Sequence, residues 1–110
     1  MTRVTFYQNS NQEYVGFFTE NHAGYAEEGE DIVCAAISAL VTNTVNSMEA
    51  FTDDDFAVDV DAESASIKLM MQDHPSKEAE LLLKSLSLGL QGIEEDETYT
   101  EFIDIIFEEV

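Results

Sequence analysis

An α+β fold, an antiparallel or mixed sheet packed by two helices in the order ββαββαβ, is what the sequence predicts, and three observations carry the prediction. Two pairs of alternating apolar and polar runs are each split by a short polar turn, as β-hairpins are. Two further segments read as helices, one a long apolar run behind a capping residue and the other repeating apolar residues every three or four positions. A last alternating run follows the second of these and closes the order. The 110 residues are 45% apolar, with seven Phe and four Tyr. That suffices for one modest core, so the expected organisation is a single domain over residues 1–110.

From Arg3 to Thr19, Val4 and Phe6 alternate with Arg3, Thr5 and Tyr7, and Val15 and Phe17 with Tyr14, Gly16 and Phe18. The turn-like Gln8-Asn9-Ser10-Asn11-Gln12 between them predicts a β-hairpin. Glu20 to Glu30 shows no apolar periodicity and carries Gly24 and Gly29, which predicts a mobile loop. Asp31 is placed as the N-cap of a helix reaching about Met48 or Ala50, because a carboxylate there accepts from backbone N–H groups two or three residues on. The first half of this helix, Ile32 to Val41, is apolar nearly all round, so a sheet on one side and a second protomer on another are expected to cover it. Phe56, Val58 and Val60, then Ile67, Leu69 and Met71, alternate on either side of Asp61-Ala62-Glu63-Ser64 and predict a second hairpin. Pro75 suits the first position of a helix in which Ala79, Leu82, Leu83, Leu86, Leu90 and Ile93 recur at helical spacing. Gly89 and Gly92 weaken its last turns. Beyond Glu94-Glu95-Asp96-Glu97, a closing strand is expected over Tyr99 to Phe107.

Four Lys and Arg against 24 Asp and Glu leave a net charge of -20 and a pI near 4.1. Such a chain does not bind nucleic acid or anionic lipid through bulk charge; its natural electrostatic partner is basic. No stretch reads as a membrane span and the N-terminus lacks the pattern of a signal peptide, so the expected location is cytoplasmic. With one cysteine, Cys34, there is no internal disulfide and no multi-cysteine zinc site. Asp53-Asp54-Asp55 with Asp59 and Asp61 lacks the glycine turn and terminal Glu of a calcium loop and reads as a wet face. No cofactor or metal is expected. His74, next to Pro75, reads as structural.

What remains is Cys34 and His22. A cysteine three residues past an N-cap sits in the first helical turn, where unpaired N–H groups and the positive end of the helix favour a thiolate. The dipole alone is too weak, and Glu27, Glu28, Glu30 and Asp31 oppose it, so a cation is needed; His22, on the preceding loop, is the one nearby candidate. Within reach of Cys34 it can act as general base and acid while the thiolate attacks a peptide carbonyl and helix-start N–H groups hold the oxyanion. Asp31 can orient His22 or cap the helix, with capping favoured, and Ser38, four residues past Cys34, shares its helix face. An isolated cysteine in an apolar stretch equally describes a small core side chain. In that case the chain would be a non-catalytic acidic module that binds a basic protein.

His22-Ala23-Gly24-Tyr25-Ala26 followed by Asp31-Ile32-Val33-Cys34-Ala35-Ala36 and Ser38 resembles the paired signature of the ribosomal-processing cysteine proteases, the Prp or YsxB-like family. The resemblance covers essentially the whole chain in length and element order. It implies a homodimeric cytoplasmic endopeptidase of Firmicutes and related bacteria. The substrate it implies is the precursor of large-subunit ribosomal protein twenty-seven, whose N-terminal extension is cut after a Phe-containing apolar motif to permit ribosome maturation. The family's catalytic pair falls on His22 and Cys34, and Asp31 and Ser38 match accompanying positions. The family pattern has glycine before the histidine, where this chain has Asn21, the residue after glycine that best tolerates a left-handed backbone. The acidity fits a basic substrate independently of the resemblance.

Overall fold

The computed structural model describes residues 1–21 and 28–110, with Asn21 and residues 28–31 described by their backbone alone. The order is β1 (Thr2–Gln8), β2 (Tyr14–Asn21), α1 (Glu28–Phe51), β3 (Phe56–Asp61), β4 (Ser66–Met71), α2 (Lys77–Glu95), a 3₁₀ turn (Thr100–Phe102) and β5 (Ile103–Glu109). The expected ββαββαβ order and α+β class are therefore observed. The five strands form one sheet in the order β3-β4-β2-β1-β5. Its pairings are antiparallel except β1 with β5, which run parallel, so the sheet is mixed.

Register turns the apolar alternation into a core. Val4 pairs with Thr19, Phe6 with Phe17, Phe17 with Leu69 and Val58 with Leu69, which places these side chains on one face of the sheet. Val33, Ile37, Val41 and Met48 of α1 and Ala79, Leu83, Leu86 and Leu90 of α2 bury against them. Each large apolar side chain so buried contributes about 1.5–3 kcal/mol. The helices also meet each other, with Gly89 of α2 facing Leu40 of α1, where an added Cβ would stand 3.4 Å from Leu40 Cδ1. The opposite face carries Tyr7, Phe18 and Met70, with the Lys68 ammonium 5.5 Å from the Tyr7 ring centre and 6.0 Å from that of Phe18. Burial, then the charges of Glu108 and Glu20, raise the Tyr7 pKa.

Several boundaries differ from expectation, each for a local reason. Helix α1 starts at Glu28, so Asp31 lies within its first turn and is not the N-cap; acidic residues in a first turn interact favourably with the positive helix end and let the helix extend upstream through Gly29. Strand β2 runs through Asn21, which shortens the expected Glu20–Glu30 loop to residues outside the described set, and the mobility expected there lies outside it too. Helix α2 starts after Ser76, not at Pro75, because the Ser76 hydroxyl accepts from Ala79 N at 3.0 Å and caps it. The expected strand from Tyr99 opens with a 3₁₀ turn in which Phe102 N donates to Tyr99 O at 3.0 Å, and pairing begins at Ile103. Finally, Ile32–Phe51 does have the length and composition of a membrane span. Here it is the core helix, its Val33, Ile37, Val41 and Met48 stripe buried against the sheet.

Candidate active site

Cys34 is delivered by α1 six residues past Glu28, about 9 Å along the helix axis at 1.5 Å per residue. That distance revises its chemistry. The unpaired N–H groups and the positive end of the dipole act within the first turn, so neither reaches Cys34 as they would have from an N-cap at Asp31. The amides expected to hold an oxyanion lie one to two turns upstream of the sulfur.

What surrounds the thiol instead is a cleft of about 70 Å3 between α1 and the sheet, lined by Cys34, Ile37, Ser38 and Val41 from the helix, Thr2 from β1, Thr19 from β2 and Ala65 and Ile67 at the start of β4. The volume is roughly half that of an engineered cavity that holds benzene, so it admits a small side chain or a few waters. Cys34 is half-buried, and Thr2 Oγ1 stands 3.6 Å from its Sγ. Thr19 donates its hydroxyl to Ile67 O at 3.4 Å, tying β2 to β4 at the floor. Ala65 has a positive φ of 51° in the β3–β4 turn, a conformation that favours Gly or Asn over Ala.

Of the residues singled out from sequence, Cys34 and Ser38 meet in this cleft. Asp31 shares their flank of α1 by spacing, since positions i, i+3 and i+7 lie along one helix side, and the described residues include its backbone only. His22 lies outside the described residues. All four Lys and Arg are accounted for elsewhere: Arg3 pairs with Asp104 at 3.6 Å, Lys68 lies over its two rings, and Lys77 and Lys84 belong to α2. No lysine or arginine lines the cleft.

The remaining motifs fall into structural roles. His74 Nε2 is 2.9 Å from Glu13 Oε1. Asp54, part of the acidic run, accepts from the Ser76 backbone N at 2.8 Å and from the Ser76 hydroxyl at 2.5 Å, which locks the entry to α2. Burial alone would raise its pKa; hydrogen bonds from Ser76 and Thr52 outweigh that and hold it below the usual carboxylate value. Sequence reasoning missed Thr2, Thr19, Ala65 and Ile67 as cleft residues. Thr2 had a usable signal, since it shares parity with Val4 and Phe6 and therefore faces the helices once β1 is extended by one residue.

Comparison with known proteins agrees with this architecture. The family model described as cysteine protease Prp matches residues 1–104. The ribosomal processing cysteine protease Prp of Staphylococcus aureus is 29% identical over 96 residues, spanning 87% of this chain and 91% of that one. The crystal structure of an essential ribosomal processing protease Prp from S. aureus in complex with a substrate peptide superposes with a TM-score of 0.90 at 28% identity, over 98% of this chain and 100% of the other. The same protease with a covalently linked product peptide gives a TM-score of 0.85 at 29% identity and the same coverage.

Proposed function

Because the chain belongs to the cysteine protease Prp family, we propose that it removes the N-terminal extension of large-subunit ribosomal protein twenty-seven and so permits ribosome maturation, with Cys34 as nucleophile and His22 as general base and acid. The observation that carries the reading is the match over residues 1–104 together with the Cys34 thiol in an open cleft on an otherwise apolar helix. A cysteine kept only for packing has no use for a cleft. The non-catalytic acidic module is thereby set aside.

In this mechanism His22 takes the Cys34 proton, and the sulfur attacks the scissile carbonyl. The tetrahedral adduct expels the amine, to which His22 returns the proton, and water activated by the same imidazole hydrolyses the thioester. Asp31 and Ser38 support the pair, and Ser38 offers a hydroxyl to the peptide beside the sulfur. The unit is the whole chain acting as one catalytic domain, without metal or cofactor, in the cytoplasm. It acts as a homodimer, for which the exposed apolar positions Ile32 and Leu88 supply surface; sedimentation at micromolar concentration giving only monomer would count against that.

The test is mass spectrometry of the organism's own precursor incubated with the wild type, Cys34→Ala and His22→Ala. A single cut near the precursor's N-terminus is expected from the wild type, with rates at least about 100-fold lower for either variant. A cut that persists undiminished in Cys34→Ala contradicts the reading.

A further inference from the structure

The first residue of β1 points its hydroxyl at the sulfur of Cys34: Thr2 Oγ1 lies 3.6 Å from Sγ, and Thr2 is 4% exposed. We propose that Thr2 is a catalytic residue, whose hydroxyl donates a hydrogen bond to the Cys34 thiolate and so enlarges the fraction of enzyme in the reactive, ionised form. This rests on the reading of Cys34 as nucleophile.

The hydroxyl interacts differently with the two protonation states of the sulfur. While the sulfur is protonated either atom of the pair can donate, and a thiol is a weak partner in both roles. When His22 takes the thiol proton, the sulfur keeps only lone pairs, and the hydroxyl, which retains its own proton, becomes the donor. The bond is then charge-assisted and roughly twice as strong as its neutral counterpart. A group that binds the charged form more tightly than the neutral one draws the equilibrium toward it.

The helix start is about 9 Å away along the axis, and no Lys or Arg lines the cleft. No titratable side chain faces Cys34 in the cleft from β1, β2 or β4 among the described residues. The charged groups nearest along the chain are His22, Glu27, Glu28, Glu30 and Asp31 before it, and the amino group of Met1 next to Thr2; the acids among them disfavour a thiolate. Packing does not call for a hydroxyl at this position either. Valine has the same branched shape and a good strand propensity, and a buried hydroxyl without a partner is a cost.

The experiment measures the rate of Cys34 alkylation by iodoacetamide between pH 5 and 10, beside cleavage of the precursor, for the wild type, Thr2→Val and Thr2→Ser. In Thr2→Val the pH midpoint of alkylation moves up by about one unit. Its kcat/KM below that midpoint falls roughly three- to tenfold, the lower figure because a more basic thiolate is also the better nucleophile. KM stays unchanged, and Thr2→Ser, which keeps the hydroxyl, returns both readouts to wild type. Thr2→Ala removes the same hydroxyl and serves should Thr2→Val not fold. An unmoved midpoint with cleavage intact overturns the role of Thr2 and leaves the protease standing. A wild type that does not cut its precursor removes the protease reading, and the catalytic role of Thr2 with it.

Discussion

At the scale of single residues, burial and spacing decide what each polar group does. Asp54 illustrates this away from the cleft. Its carboxylate holds Ser76, and Ser76 holds Ala79, so one side chain fixes the start of α2. Hydrogen bonds keep its pKa below the ordinary carboxyl value of 3.8 against the opposing effect of burial. A carboxyl with a lowered folded pKa contributes stability that is fully present above the unfolded value and lost as pH falls through the folded one. Asp54→Ala is therefore expected to lower unfolding free energy by about 1 kcal/mol at pH 7. The gap to wild type should close as the pH is taken below 3.8; a gap of the same size at the lowest pH where both chains fold would contradict the assignment. The sequence showed Asp54 only as part of an acidic run, because its partner Ser76 is 22 residues away and no local pattern connects them.

At the scale of elements, period-2 alternation located all five strands and 3.6-residue periodicity located α2, because those patterns are what a one-sided core imposes, while α1 was legible as a long apolar run behind a capping residue. Helix ends were less legible. The start of α1 depends on how far acidic residues extend a first turn, and a first helical residue at Glu28 in place of Ile32 moved Cys34 out of reach of the helix end. The cleft was illegible in another sense: its walls come from β1, β2, α1 and β4, and only register brings them together. Gly16 shows the same dependence. In a strand, valine commonly outperforms glycine by up to about 1 kcal/mol, yet a Cβ at Gly16 would run into Leu69 O and stand 2.6 Å from Met70 Sδ. Gly16→Val is expected to destabilise the chain by about 1–3 kcal/mol in urea unfolding. A stabilised variant would mean that β2 and β4 are not paired in this register.

At the scale of the whole molecule, the net charge of -20 acts at a distance and the cleft at contact. On the proposed reading a basic precursor would be drawn toward the acidic chain before any apolar residue is read, and such attraction is screened by salt over about 10 Å at 0.1 M. Raising salt from 50 to 500 mM is expected to increase KM for the full-length precursor severalfold while leaving a short uncharged peptide carrying the same cut site nearly unaffected. Equal responses of the two substrates would show that the acidity serves solubility alone.

The most direct test of Cys34 as the nucleophile is rapid-quench intact-mass spectrometry of the chain mixed with its ribosomal precursor. The account predicts a transient species heavier than the chain by the N-terminal extension less one water, located on Cys34 and absent from Cys34→Ser as a thioester. Cleavage that proceeds with no such species, and at the same rate in Cys34→Ala, would contradict it.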